Sequence, residues 1–113
     1  PVGAVPAEVV RKAFCATPSV ALQQHQWQKH GSCISADAAA YFGTATRLYS
    51  ALRIPDMTAL ATTRLSVRDL KAAFAAANRG LRPDMLRVVL DPGGWLEEMR
   101  LCLDRRLRFA TCP

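Results

Sequence analysis

The change in hydrophobic periodicity along the chain is the feature that most constrains its fold. In roughly the first two-thirds, apolar residues recur at helical spacing, and strong amphipathic helices are predicted after Cys33 and after Ser66. The last third instead contains two extended runs, Met85–Leu90 and Trp95–Leu103, separated by the turn sequence Asp91–Gly94. Helices followed by adjacent strands indicate an α+β fold in which helices pack on a mainly antiparallel sheet.

Capping residues mark the expected helix boundaries. Ser35 is expected to cap the helix after the second cysteine, and Ile54–Pro55 is expected to end it. Ser66, with Asp69 three residues later, is expected to begin the next helix. Residues 55–64 between these two helices are expected to form a connecting segment.

Length, composition and charge limit the class of protein. The 113 residues are 50% hydrophobic, so the chain can bury one modest core and is a single domain or part of one. No run of about 18 apolar residues occurs, so no membrane partner is expected. The four cysteines indicate an oxidising compartment, such as the periplasm or the cell exterior. The net charge of +6 favours a polyanionic partner only weakly, because the basic residues are dispersed.

The segment His25–Cys33 carries the chemically most useful side chains, including both histidines of the sequence. If it is α-helical until Gly31 ends it, His25 and Lys29 lie about 40° apart around the helix, and His25 and His30 about 140° apart. Two imidazoles and an ammonium group that share one face can transfer protons and bind an anion. The sequence therefore predicts an acid–base site for an anionic substrate.

The same spacing argues against a metal site. Metalloprotease helices place their histidines four residues apart, whereas His25 and His30 are five apart, and no Cys-x-x-Cys occurs to supply further ligands. No metal ion or other cofactor is expected. A plainer alternative is a disulfide-stapled structural domain in which both histidines are incidental.

The segment from His25 to Cys33 resembles the second active-site segment of the ribonuclease T2 family, whose pattern is His-Glu-Trp-x-Lys-His-Gly-x-Cys. Gln26 departs from that pattern, because the family typically has Glu there. The end of the chain, Leu96–Asp104 followed by Phe109–Pro113, resembles the closing hairpin of the same family. The resemblance implies a ribonuclease T2-like fold, and it covers essentially the whole chain but only the second half of the family's sequence.

The resemblance also implies a function. It implies an endoribonuclease of low base specificity that cleaves RNA by transphosphorylation through a 2′,3′-cyclic phosphate, without a metal. In this scheme His30 is the general base, Lys29 stabilises the pentacovalent transition state and His25 helps bind the phosphate. Gln26 is expected to give a working site with an altered pH profile, because an amide forms hydrogen bonds but carries no charge.

A second set of residues, just upstream, is implied to hold the RNA base. The positions that correspond to it here are Pro18, Ser19 and Leu22. From the residues alone, Ser19 is more simply explained as the N-cap of the helix that leads into the histidine segment, as most Pro-Ser pairs before helices are.

The cysteines are expected to form two disulfides. The closing hairpin of the family carries one, which corresponds to Cys102–Cys112, and a turn at Asp104–Arg106 lets these two residues face each other across adjacent strands. By count, Cys15 and Cys33 remain to pair with each other. In the family the cysteine at the position of Cys33 usually pairs with one further upstream, so both possibilities stay open, and we favour the Cys15–Cys33 pair.

The first active-site segment of the family, His-Gly-Leu-Trp-Pro, does not occur in these 113 residues, and neither of the two histidines can replace its general acid. Three explanations are open: an upstream part of the same protein, a second chain that holds the N-terminal half, or lost activity. The rival function is a non-catalytic secreted module that binds RNA or another polyanion through its arginines.

Overall fold

In the described part of the chain, helices and one antiparallel pair of strands make up the fold, which confirms the predicted α+β class. The structure is a computed structural model that describes residues 2–62 and 65–113. Pro1, Thr63 and Arg64 lie outside the described residues, and with them the end of the connecting segment predicted for residues 55–64. The chain divides into two compact units, Pro1–Leu52 and Arg53–Pro113.

The first unit is helical. Its elements in chain order are α1 (Ala7–Ala13), α2 (Val20–Gln26), a π-helix (Trp27–Gly31), α3 (Ser32–Ile34) and α4 (Ala38–Ala51). Pro6 directly precedes α1 with a φ of −59°, a value that suits the start of a helix. Ser19 begins α2, because its hydroxyl accepts a hydrogen bond from the backbone N–H of Leu22 at 3.1 Å.

The start of α4 differs from the prediction. Asp37, not Ser35, is its N-cap, and the Asp37 carboxylate accepts a hydrogen bond from the backbone N–H of Ala40 at 2.8 Å. Ser35 lies in extended backbone directly after α3, because the helical path that carries the histidine segment continues to Ile34. The cap therefore falls two residues later than the sequence suggested.

The core of the first unit determines which face of the helical segment after α2 is buried. Its buried residues come from three elements, α1, the π-helix and α4, and are Ala13, Trp27, Ala38 and Phe42. Val5, Val9 and Tyr41 pack against this cluster and are partly buried. Because Trp27 belongs to the core, the opposite side of its helical segment faces solvent.

The second unit begins with a helix that the sequence analysis missed. Within the predicted connecting segment, α5 spans Met57–Ala61 and is capped by Asp56, which accepts a hydrogen bond from the backbone N–H of Ala59 at 3.0 Å. The next helix, α6 (Val67–Ala77), begins at the predicted cap, Ser66. None of the helices in the described ranges is long and apolar enough to cross a membrane.

Two antiparallel strands complete the second unit. They are β1 (Leu86–Leu90) and β2 (Leu96–Leu101), and Leu86 pairs with Leu101 in their register. The predicted second strand was longer. After β2, the backbone N–H of Cys102 bonds to Met85, and Leu103 pairs only in an isolated bridge with Phe109. One face of this strand pair covers a core built by Leu70, Phe74, Leu81, Met85 and Leu86.

The hairpin disulfide is present, but the second expected disulfide is not. Cys102 and Cys112 are bonded, with their Cα atoms 5.3 Å apart. Cys15 and Cys33 are free, exposed thiols, which corrects the predicted pair. Cys15 lies in the turn after α1, which is tied to Gln23 near the start of α2. Cys33 lies ten residues beyond Gln23 along the helical path, in α3, and forms no bond with this turn.

Candidate active site

The segment that carries both histidines is helical, as predicted, but it is wound differently. The α-helix ends at Gln26, and the π-helix follows, with a bond from the backbone N–H of Ser32 to the carbonyl of Trp27, five residues earlier. Each residue of a π-helix advances by less than the roughly 100° of an α-helix. His25 and His30, about 140° apart in a continuous α-helix, therefore lie closer to one face than predicted.

The nitrogen-bearing side chains of this face are exposed to solvent, and no acidic group of the described residues pairs with them. The side chains of His25, Lys29 and His30 are all exposed, and none has a hydrogen bond or ion pair with another residue in the ranges 2–62 and 65–113. Gln26 is half-buried at its edge. In the described part of the chain, no group of three His, Cys, Asp or Glu side chains is placed to hold a metal ion. The free imidazole and ammonium groups are thus available to an anionic ligand.

The opposite face of the π-helix packs against aromatic side chains. Trp27 is 9% exposed, and its ring centroid lies 6.1 Å from that of Tyr41, which in turn meets Phe42 edge to face at 5.0 Å. Burial raises the pKa of Tyr41 above its usual value, so its hydroxyl stays protonated at neutral pH. Tyr41 is therefore a packing partner of the site and not a candidate base.

Position 31 requires glycine because of this aromatic packing, and not because a helix ends there. Its φ of −62° is helical, and the chain continues into α3. A Cβ atom at this position would lie 2.6 Å from Cε3 of Trp27 and 2.7 Å from Cγ of Tyr41. Since carbon atoms do not approach so closely, the close contact of the π-helix with both rings depends on glycine. The prediction that Gly31 ends the helix is therefore wrong.

Gln23 is a residue of the site region that the sequence analysis missed. Its side chain is fully buried, and Nε2 donates hydrogen bonds to the carbonyl of Val10 at 3.2 Å and of Thr17 at 3.0 Å. Oε1 has no partner within the described chain. Gln23 thus ties α1 and the following turn to α2, ahead of the histidine segment. A glutamine in a polar string gives no sequence signal for such a role.

The residues predicted to hold a base lie at the start of α2. Pro18 and Leu22 are exposed, whereas Ser19 is half-buried and uses its hydroxyl as the helix cap. Leu22 and His25 are three residues apart on the same helix, so their side chains are neighbours on its surface. The structure therefore places an exposed apolar group next to the polar face.

The sequence is similar to those of known proteins. It matches the family model described as "Ribonuclease T2 family" over residues 12–112. The chain belongs to the ribonuclease T2 family. A protein named "Probable ribonuclease" from Haemophilus influenzae is 27% identical over 109 residues, which are 96% of this chain and 36% of that protein. The chain thus spans about a third of the length of this curated relative. No solved structure gave a significant match.

The residues that match the ribonuclease T2 family model include the exposed polar face of the histidine segment and the residues that pack behind it. They include His25, Lys29 and His30, together with Gln23 and Tyr41 behind them. Chemically, an exposed imidazole can accept a proton, and an adjacent ammonium group can stabilise negative charge that develops on an oxyanion. Those are the two requirements for one side of a phosphoryl-transfer site.

Proposed function

We propose that this chain supplies the general-base side of an endoribonuclease site that uses the ribose 2′-hydroxyl of RNA as its nucleophile. The proposal rests mainly on the exposed face of His25, Lys29 and His30, on which the described residues place no neutralising carboxylate. The other side of the same segment is fixed by Trp27 and Gly31. A rigid segment with free acid–base groups suits catalysis better than a role in packing.

Each side chain has one role in the proposed reaction. The neutral imidazole of His30 removes the proton of the 2′-hydroxyl, and the oxygen attacks the adjacent phosphorus. Lys29 stabilises the negative charge of the five-coordinate transition state, and His25 helps to bind the phosphate. The bond to the 5′-oxygen then breaks and leaves a 2′,3′-cyclic phosphate, which water opens more slowly to a 3′-phosphate.

The leaving 5′-oxygen must receive a proton, and the proposed reaction leaves no histidine of this chain to donate it. The sequence contains two histidines, and the reaction already uses both of them. We therefore assign the general acid to sequence outside residues 1–113, either in the same protein or in a second chain that carries the other half of the domain. The relative from Haemophilus influenzae supports this assignment, because the chain covers 36% of its length.

We infer low base specificity from the groups at the start of α2. Leu22 is 44% exposed and can contact the flat face of any base. Ser19 has the only side-chain oxygen among the three residues assigned to base binding, and its hydroxyl is already the helix cap. We propose that the main contact with the base is apolar, and such a contact does not depend on the hydrogen-bonding edge of the base.

We assign the protein to the periplasm or the cell exterior. The disulfide between Cys102 and Cys112 supports this assignment, because such bonds persist in oxidising compartments. Cys15 and Cys33 are exposed free thiols in the described chain and give this assignment no support.

The chemistry of the products tests the proposed function. The intact protein is expected to cut single-stranded RNA and leave 2′,3′-cyclic phosphate ends, which mass spectrometry identifies. RNA methylated at every 2′-oxygen is expected to be bound but not cut, because the nucleophile is blocked. Cleavage of the methylated strand would contradict the mechanism. Binding of both strands without any cleavage would favour the module that only binds polyanions.

Gln26→Glu is expected to alter the pH dependence of cleavage. Gln26 lies four residues before His30, so a carboxylate there would stabilise the protonated imidazole and hold the base inactive up to a higher pH. The acid limb of the profile of kcat/KM against pH is therefore expected to move to higher pH. Ser50→Glu adds the same charge at an exposed position near the end of α4 and serves as the control. Superimposable profiles for the wild type and Gln26→Glu would refute a role for Gln26.

A further inference from the structure

The hairpin that closes the chain has a rigid, basic tip, Arg105–Arg108. Its ends are joined by the bridge between Leu103 and Phe109, and the backbone N–H of Asp104 donates to the carbonyl of Arg108 at 2.9 Å. The Asp104 carboxylate accepts further hydrogen bonds from the backbone N–H of Arg106 at 2.8 Å and of Arg108 at 3.0 Å. These bonds hold the tip in one conformation before any ligand arrives.

Two guanidinium groups at this tip form no ion pair with the described residues. The Arg108 side chain pairs with Asp104 at 3.0 Å, but Arg105 and Arg106 are exposed and have no acidic partner in the described part of the chain. The next residue, Leu107, has a φ of +62°, which is unfavourable for a side chain that bears a Cβ. The tip therefore keeps two free arginines on a backbone that has adopted a costly conformation.

More arginines lie against the base of the same hairpin. Gly80 approaches Phe109, since a Cβ on this glycine would lie 4.0 Å from Cδ2 of the ring, and the exposed Arg79 directly precedes it. Arg82 donates a hydrogen bond to the hydroxyl of Thr111 at 3.3 Å. Together with the tip, these residues form the hairpin surface, which consists of Arg79, Arg82, Arg105, Arg106 and Arg108.

The hairpin surface has an excess of positive charge. Its two ion pairs are Arg82 with Asp84 at 3.2 Å and Arg108 with Asp104 at 3.0 Å. The remaining three arginines have no such partner among the residues that the structure describes. Guanidinium groups bind phosphates through paired hydrogen bonds, and they do so without reference to base sequence.

We propose that the hairpin surface binds the phosphodiester backbone of single-stranded RNA, as a second contact in addition to the histidine segment. This inference rests on the proposed ribonuclease function, which makes RNA the polyanion that the protein meets. An acidic protein partner fits less well, because protein interfaces usually bury apolar groups at their centre and the tip offers only Leu107. The surface would hold long RNA strands while leaving the choice of base unrestricted.

The test is the binding of a 2′-O-methylated oligonucleotide of about 20 residues, long enough to span several phosphates and resistant to the proposed cleavage. The double variant R105Q/R106Q of the intact protein is expected to bind it about 5–20-fold more weakly at low salt. The slope of log K against log salt is expected to fall by about 1.4, or about 0.7 for each lost phosphate contact. The control R47Q/R68Q removes the same charge from two exposed helical positions and is expected to bind within twofold of the wild type.

Three outcomes would overturn the inference. The first is unchanged affinity in R105Q/R106Q, and the second is an equal loss in the control, which would trace the effect to net charge alone. The third is binding of polyglutamate that depends on the two arginines while RNA binding does not, which would indicate an acidic protein partner. Failure of the proposed function is separate, because it would show as unmodified RNA that is bound but not cut.

Discussion

Replacing His30 with alanine is expected to lower kcat/KM for single-stranded RNA by about 10²–10⁴-fold, the range for loss of a general base. The loss would be chemical and not structural, because the His30 side chain is exposed and has no partner within the described residues. Alanine also favours a helix. The packing that holds the segment comes from Trp27 and Gly31 on its other face.

Two comparisons separate this effect from a general disturbance. Gln28→Ala truncates an exposed neighbour on the same π-helix and is expected to keep cleavage within about twofold of the wild type. The binding of 2′-O-methylated RNA to His30→Ala is expected to stay within about threefold, because the lost group acts on a proton that this ligand lacks. Cleavage by His30→Ala that falls less than tenfold would remove His30 from the role of base.

The sequence was most informative where one local interaction decides the structure. Ser19 and Ser66 cap helices as predicted, since a hydroxyl next to a free backbone N–H needs no distant partner. The strand pair was likewise indicated by alternation around the turn at Asp91–Gly94. The helix Met57–Ala61 was missed because five residues are too few to show a period.

The site was harder to predict because tertiary contacts shape it. The composition of the histidine segment indicated its chemistry, but an α-helix and a π-helix place apolar residues in similar patterns over one turn. The π-helix brings Gly31 against Trp27 and Tyr41, and Tyr41 comes from a different helix. Counting cysteines likewise paired Cys15 with Cys33 without regard to the helical path between them. Contacts of this kind cannot be read from local spacing.

Gly31→Ala is expected to destabilise the protein and to impair cleavage together. The new methyl group would lie under 3.0 Å from three ring atoms of Trp27 and Tyr41. Overpacking of this kind costs about 3 kcal/mol at the upper end of its usual range, whereas the gain in helix propensity is only about 1 kcal/mol. The net loss of about 2 kcal/mol corresponds to a fall in Tm of about 10 °C. Because Gly31 directly follows Lys29 and His30, a backbone shift on the order of 1 Å at this position is expected to lower cleavage at least tenfold.

Gly43→Ala is the matched control, because it makes the same substitution within a helix of the same unit. Gly43 is exposed in α4, and a Cβ there would meet nothing within 4 Å. Only the propensity gain remains, so this variant is expected to be more stable by about 0.5–1 kcal/mol with unchanged cleavage. Thermal unfolding and initial rates on RNA measure both variants. If Gly31→Ala were stabilised like Gly43→Ala, the aromatic packing of the π-helix would not be what fixes the catalytic segment.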